Sequence, residues 1–418
     1  MEENMENEAR IIDKCQICES SQLAYIARLG TVPAVNDMVP VGVVQPIELR
    51  FPLSLVRCKN CDLVQLDCIV PKRILFPAHY PYLSNSTQIL HTNFSELADE
   101  ARSRLALSPS ARILDIGSND GTLLSKFKAL GYSVLGVEPT DASKNAIEAN
   151  IPTRNDYFSS ELAREIVSQE GHFDVITAAN VFAHIDDIND VLLGVRSLLS
   201  PSGTFISESH YLGSVIHGLQ FDTVYHEHLR YYSLTSLANL FKTHGITITY
   251  AKFIPTHGGS IRVYASPVEG ATPDPLVAKI LTEEIDKGLA SKRLDDEFSK
   301  KVANAKLQLV TQLTSLKVSG ARIVGIGAPS RASTLINYCG LDEDTIDAVL
   351  EISTSNKLDK YIPGTKIPVI DEKNLDHLRP DYLLILSWHI AEELISIFKN
   401  KRFSGKFIVP LPSFEIRV

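Results

Sequence analysis

Hydrophobic and polar positions change rhythm along this chain, and each change predicts an element. An apolar run at 113–116 enters the glycine turn Gly117-Ser118-Asn119-Asp120-Gly121, and an amphipathic helix and a second apolar run ending at Glu138 follow. From 110 to about 267 strands and helices alternate. The pattern predicts a helix at 142–149, a strand at 155–158, a helix at 161–169 and a strand at 173–179. It then predicts a helix at 187–199, a turn at Pro201-Ser202-Gly203 and a strand at 204–208. Runs at 246–254 and 260–266 are close enough for an antiparallel hairpin. Residues 275–317 are charged and helical in pattern, most simply connecting helices with a solvated face. A second strand, glycine turn and helix begin at Arg322, with further strands at 347–351, 381–386 and 406–410. The reading is an α/β chain: an N-terminal domain (1–75), an alternating domain (76–270), a helical connector (271–320) and a Rossmann-like domain (321–418).

Composition narrows the class. With 418 residues the chain buries a sizeable core, and its net charge of −9 is spread without a basic stripe, so nucleic acid is not an expected partner. The first ten residues, MEENMENEAR, are acidic where a signal peptide is basic, and no apolar run reaches the ~18 residues of a membrane span. A cytoplasmic protein with a disordered N-terminus and no membrane partner is expected. Four of its six cysteines form two C-x2-C pairs, Cys15/Cys18 and Cys58/Cys61. Such knuckles offer four thiolates to one tetrahedral zinc, a closed structural site, and a reducing compartment disfavours the alternative of disulfides. Cys68 and Cys339 read as single buried thiols.

The glycine turn at 117–121 is half of a mononucleotide-binding unit, with Glu138 placed for a ribose diol. A dinucleotide fingerprint would want glycine where Asn119 stands, and the Asp120 charge would repel a pyrophosphate. A ligand without phosphate and with a cationic amino-acid tail suits it: S-adenosylmethionine. The bland alternative is a turn with no ligand. A parallel sheet closed by a terminal antiparallel strand is the layout of class I methyltransferases. Asn180 and His184 follow the strand at 173–179 at the carboxyl end of the sheet, where open α/β folds bind ligands. The insertion FDTVYHEHLRYYSLTSL crowds Tyr225, His226, Glu227, His228, Tyr231 and Tyr232 together. General acid-base work is one reading, with a carboxylate raising histidine's proton affinity. A polar structural edge and a metal held by His226 and His228 on one strand face are the others. The loop bearing Tyr80, Pro81, Tyr82, Ser84, Asn85 and Ser86 reads as exposed, with a functional tyrosine or a mere lid as alternatives. In the second turn, Gly325-Ile326-Gly327-Ala328-Pro329-Ser330, Pro329 fits the first helical turn and Arg331 adds charge for a phosphate. The third glycine of an NAD site is absent, so a substrate's nucleotide diphosphate is the better guess.

Taken together these residues resemble the nucleotide-deoxysugar C-methyltransferases, such as the dTDP-4-keto-deoxysugar C-3 methyltransferases. The resemblance spans nearly the whole chain: the C-x2-C pairs, YPYLSNS, ILDIGSNDGTLL with GVEP, AANVFAHI, YHEHLRYYS, HGGSIRVYA, GIGAPSRASTLINYCG, IPGTKIPV and SWHIAEEL. It implies a zinc-binding N-terminal domain, a class I (Rossmann-like) methyltransferase domain for S-adenosylmethionine and a C-terminal Rossmann-like domain that holds a nucleotide-diphosphate 4-keto-deoxysugar. The motifs imply a cofactor site of Asp115, Gly117, Asn119, Asp120, Gly121, Glu138, Pro139 and Asn180. They imply substrate contacts at His257, Gly259, Arg262, Gly327, Ser330 and Arg331. The implied active-site group is Tyr225, Glu227 and His228, with Asn180, His184 and either Tyr80 or Tyr82. His228, oriented by Glu227, would take the C-3 proton while Tyr225 and His184 stabilise the enolate oxygen. The motif APSRAS departs from the lysine its relatives carry, so different phosphate contacts are expected. A monomer or weak homo-oligomer is expected. The competing classes are an epimerase or oxidoreductase on nucleotide-ketosugars and a non-catalytic nucleotide-binding protein. Asn119 and Asp120 argue against the first, the YHEH cluster against the second.

Overall fold

Cysteine knuckles and short strands build the N-terminal part. In this computed structural model, which describes residues 8–44, 47–76, 83–86, 88–267 and 271–418, β1 (Arg10–Ile11) pairs with β5 (Cys68–Ile69). Between them β2 (Leu23–Pro33), β3 (Arg50–Cys58) and β4 (Val64–Leu66) form an antiparallel meander.

The alternating stretch folds as expected. Strands β6 (Arg112–Ile116), β7 (Ser133–Val137), β8 (Thr153–Arg154), β9 (Phe173–Ala179) and β10 (Leu199–His210) are parallel. β6 and β9 are almost continuously buried because helices cover both faces of a parallel sheet. After β11 (Arg230–Tyr231), the hairpin of β12 (Thr247–Ile254) and β13 (Ser260–Ser266) closes the sheet antiparallel against β10, in the order β12-β13-β10-β9-β6-β7-β8. β11 lies in the insertion yet pairs with β4, stitching the insertion to the N-terminal meander.

Two expectations are corrected. The strand foreseen at 155–158 is the shorter β8, because the Asn155 amide is drawn into the turn after β7, bonding the carbonyls of Glu138 and Thr140 at 2.9 and 3.1 Å. The foreseen turn at 201–203 lies inside β10, where a register irregularity between Leu199 and Thr204 absorbs Pro201.

Helices Pro275–Asp286 and Lys292–Val318 fill the connector. The last sheet holds β14 (Ile323–Ile326), β15 (Val349–Glu351), β16 (Lys360–Tyr361), β17 (Pro368–Asp371), β18 (Tyr382–Ile385), β19 (Lys406–Val409) and β20 (Glu415–Arg417). Its order is β16-β17-β15-β14-β18-β19-β20, parallel except for the edge strands β16 and β20. No helix among the described residues is long and apolar enough to cross a membrane.

Candidate active site and zinc site

The four knuckle sulfurs converge. Cys15, Cys18, Cys58 and Cys61 Sγ atoms all lie within 4.8 Å of one another, with Cys15–Cys61 at 3.6 Å and Cys18–Cys58 at 3.5 Å. A tetrahedron with Zn–S bonds of about 2.3 Å has edges near 3.8 Å, so the thiolate set fits zinc with no position left for a substrate. The Asn60 backbone N–H points at Cys58 Sγ (3.4 Å) and its side-chain amide at Cys18 Sγ (3.4 Å), donors that suit charged sulfurs. Cys68 and Cys339 are both buried, as expected.

The carboxyl ends of β6, β7, β9 and β10 face the C-terminal sheet across one cavity of about 1170 Å³. One wall of it includes Gly117, Asn119, Glu138, Pro139 and Asn180. Gly117 has φ +67°, and a Cβ there would stand 2.5 Å from Val181, so no larger residue fits. Asn119 and Asn180 also have positive φ (50° and 60°), which asparagine tolerates better than most residues. Glu138 accepts from the Asn119 N–H (2.9 Å), the Thr140 N–H (2.9 Å) and the Thr140 hydroxyl (2.6 Å). A carboxylate offers about four acceptor positions, so roughly one remains for a ligand hydroxyl.

Three residues foreseen as cofactor contacts lie behind this wall. Asp115 is buried at the end of β6, accepts from the Thr177 hydroxyl at 2.6 Å, and burial pushes its carboxyl up to about 7. Asp120 accepts from Thr122 N–H (3.2 Å) and hydroxyl on one oxygen and from Asn85 N–H (2.9 Å) on the other, so its charge is spent on holding the loop. Gly121, at φ +77°, caps the following helix.

At the centre of the cavity imidazoles crowd together. The His228 ring stands 4.8 Å from that of His184, 5.4 Å from that of His210 and 4.1 Å from the Tyr225 ring, which is tilted 32° to it. His210 lies 5.8 Å from His257 and its Nε2 donates to the His257 carbonyl (2.7 Å). Burial holds all four neutral, His184 and His257 down to about 4, His210 to about 3 and His228 well below its usual value, with the neighbouring imidazoles adding to the shift on His228. That reverses the expectation of a histidine raised by a carboxylate. His228 Nδ1 donates to the Thr223 carbonyl at 2.9 Å, which leaves Nε2 unprotonated. The orienting group is thus Thr223, not Glu227. Glu227 instead accepts from the Asn36 amide (2.7 Å), whose oxygen accepts from the Ser330 hydroxyl (3.0 Å), a chain from the insertion through the meander to the C-terminal helix.

The two-histidine metal face does not form. Residues 225–229 are not a strand, and His226 turns away to bond the Pro52 carbonyl at 3.0 Å. Arg262 does not reach the cavity: fully buried, it pairs with Glu208 (2.5 Å) and Glu100 (2.7 Å) and ties β13 to the helix Gln88–Arg104. Gly259 and Gly327 also stand off the lining, the first (φ 116°) against Ser214, the second (φ 77°) against Ser387. Ser330 and Arg331 do line the cavity, but Arg331 forms a bidentate pair with Asp222. Tyr80 and Tyr82 lie outside the described residues. Sequence reasoning missed His210, Asn36, Asp222, Lys357 and His389. His210 ends β10 at the sheet's carboxyl edge, where the rule that singled out Asn180 would have found it; the others carried no local signal. Lys357 brings a lysine to the APSRAS turn from another loop, its Nζ donating to the Ala328 carbonyl at 2.7 Å.

Three family models match in chain order: a putative zinc binding domain over residues 15–76, a methyltransferase domain over 89–251, and a C-methyltransferase C-terminal domain over 255–412. The C-methyltransferase NovU of Streptomyces niveus is 32% identical over 98% of this chain and 97% of its own. A ubiquinone biosynthesis O-methyltransferase of Xanthomonas campestris pv. campestris (strain B100) is 29% identical over 25% of this chain and 45% of its own. A solved S-adenosylmethionine-dependent methyltransferase from Clostridium acetobutylicum ATCC 824 covers 43% of this chain and 92% of its own at 12% identity and a TM-score of 0.35. With a relative matched from end to end and three models in succession, the chain belongs to the S-adenosylmethionine-dependent C-methyltransferases, with a zinc-binding N-terminal domain.

Proposed function

We propose that the methyl acceptor is C-3 of a nucleotide-linked 4-keto-deoxysugar, reached through an enolate. A carbon bonded only to carbon, hydrogen and hydroxyl is no nucleophile, whereas one beside a ketone becomes nucleophilic on losing a proton. S-adenosylmethionine supplies an electrophilic methyl when bound; everything else falls to the protein. His228 Nε2, unprotonated because Nδ1 donates to Thr223, takes the C-3 proton. Tyr225 and neutral His184 donate to the enolate oxygen, in a buried site where such bonds are strong. The C-terminal sheet holds the nucleotide, with Ser330 and Lys357 at that end of the cavity.

The observation that carries this reading is the single cavity. Its volume of about 1170 Å³ exceeds the ~300–1,000 Å³ of a one-ligand pocket, and the imidazole cluster lines the same cavity as Glu138 and Ser330. Reacting groups held at contact by two walls gain the orientation a bimolecular transfer needs.

The test uses heavy water and S-adenosylhomocysteine in place of the methyl donor. Wild-type protein should exchange the C-3 hydrogen of a dTDP-4-keto-deoxysugar, and His228→Asn should lose exchange and methylation by on the order of 10²–10⁴ while still binding S-adenosylhomocysteine. An O-methyl product, or a His228→Asn variant near wild-type rate, rejects the mechanism.

A further inference from the structure

One face of a C-terminal helix grips the turn that orients His228. The turn Phe221–Thr223 belongs to the insertion; the helix Ser330–Cys339 follows β14. Arg331, Thr334 and Tyr338 recur at i, i+3 and i+7 and so share a face. Arg331 binds Asp222 through Nε (2.8 Å) and Nη2 (2.7 Å). Thr334 donates to the Val224 carbonyl at 3.0 Å, and Tyr338 packs edge-on against Phe221, ring centres 5.4 Å apart. Trp388, after β18, adds a third donor to Asp222 at 2.7 Å. Asp222 is fully buried and Arg331 nearly so.

Phe221, Asp222 and Val224 are therefore held by the helix Ser330–Cys339 and Trp388, and Thr223 between them carries the carbonyl that matters. Thr223 O accepts from His228 Nδ1 and from the Tyr231 hydroxyl, each at 2.9 Å. A neutral imidazole keeps its proton on whichever nitrogen has an acceptor. If the carbonyl moves, the proton is free to pass to Nε2, and a protonated Nε2 cannot take one from a substrate.

We propose that Asp222 is a positioning residue: clamped by Arg331 and Trp388, it holds the Thr223 carbonyl where it selects the Nδ1-protonated tautomer of His228. Arg331 is thereby assigned to the clamp and not to a substrate phosphate. The inference deepens the reading of His228 as the base and rests on it for its importance, but the tautomer is measurable without turnover.

A buried ion pair alone would be interdomain glue, and a stability measurement would not tell the two apart. The experiment is therefore ¹⁵N-histidine NMR of the zinc-loaded full chain, with His228→Gln identifying the His228 signals by difference. Wild type should show a pyrrole-type Nδ1 and a bare, pyridine-type Nε2. Removing only one charge strands the other in a dry site, so the chosen variant, Asp222→Asn with Arg331→Gln, removes both. Folded by zinc content and near-ultraviolet circular dichroism, it should shift both His228 resonances toward a tautomer mixture. Trp388→Phe, which removes one donor and leaves both charges paired, should shift them the same way by less, and it decides the matter if the double variant does not fold. An unchanged His228 pattern in whichever variant decides, or a wild type protonated on Nε2, overturns the proposal. Failure of the heavy-water exchange would reject His228 as the base and leave the tautomer result standing.

Discussion

The two glycine turns, at Gly117 and Gly327, begin as near copies and end in different work. Arg112 opens the first strand of one and Arg322 immediately precedes that of the other, and their backbone N–H groups donate to Asp174 (2.9 Å) and Asp381 (2.8 Å) at the neighbouring strand. An acid follows or ends the second strand in both: Glu138 takes the Asn119 N–H at 2.9 Å, and Glu351 the Ala328 N–H at 2.7 Å. The difference lies in what reaches each turn from elsewhere. Asp115 stands where the second copy has Gly325, whose missing Cβ makes room for Val349 and Leu386 at about 3 Å. The helix after Gly117 spends its apolar face on its own sheet, through Leu123, Leu124 and Phe127. The helix after Gly327 turns Arg331 and Thr334 outward onto the insertion. One local motif thus lines the cavity in one copy and carries a buried ion pair to the insertion in the other, and only tertiary partners decide which.

The largest expected effect separates the copies by their cores. Cys15, Cys58 and Cys61 share a hydrophobic cluster with Leu114, Ile116 and Val137 of the first copy; of the second copy, Val324, Ile326 and Leu350 sit in a cluster without cysteines, and Ile323 and Val349 pack with Leu53 and Leu66 of the meander, away from the knuckles. Structural zinc contributes on the order of 10 kcal/mol of folding energy. Cys58→Ser or chelation should therefore strip hydrogen-exchange protection from β6 and β7 well before β14 and β15. Equal loss in both would mean that the copies are not separate cooperative units.

Next come the paired acids. Glu138→Ala removes the acceptor of three protein donors and, with the ribose placed at this turn as proposed, of one ligand hydroxyl, and should weaken S-adenosylmethionine binding by about 1.5–3 kcal/mol, roughly ten- to a hundred-fold in Kd. Glu351→Ala should cost stability, about 1–3 kcal/mol for the Ala328 and Ile352 N–H groups it leaves, and change that Kd by less than two-fold. Calorimetry on both variants checks the contrast; a comparable loss of affinity in Glu351→Ala would put the cofactor at the wrong turn.

Local signals carried the fold and about half of the site. Strands of the parallel sheets were legible because both faces are buried, and the cysteine knuckles because metal geometry demands their spacing. Residues at strand ends, such as Glu138, Asn180 and His228's neighbour His184, could be placed from topology alone. Charged residues could not. Arg331 finds Asp222 across 109 positions and Arg262 finds Glu208 across 54, and nothing local distinguishes a cation that will be consumed by such a partner from one left for a phosphate. Asp120 was misread for the same reason, since its partner Asn85 comes from a different element.

The smallest expected effect concerns Asp115, the acid that the second copy lacks. Burial raises its carboxyl to about 7, with Glu138 and Glu208 adding to the shift, against an unfolded value near 4. The folded state therefore binds more protons than the unfolded state between about pH 4 and 7, and this group's contribution to stability falls as pH rises through that window, then levels off. The buried histidines run the other way. With folded values near 3 to 4 against about 6.5 unfolded, His184, His210 and His257 lose stability for the protein as pH falls below about 6.5. Wild-type stability should consequently rise from pH 6 to 8, the several histidines outweighing the one acid. Asp115→Asn isolates the acid, because its side-chain oxygen can still accept from the Thr177 hydroxyl and the histidines cancel in the difference. Relative to wild type the variant should gain about 1 kcal/mol between pH 6 and 8, read from urea midpoints at each pH. A difference that stays flat across the window would mean that Asp115 is ionised throughout, and that the first glycine turn holds its buried charge as comfortably as the second does without one.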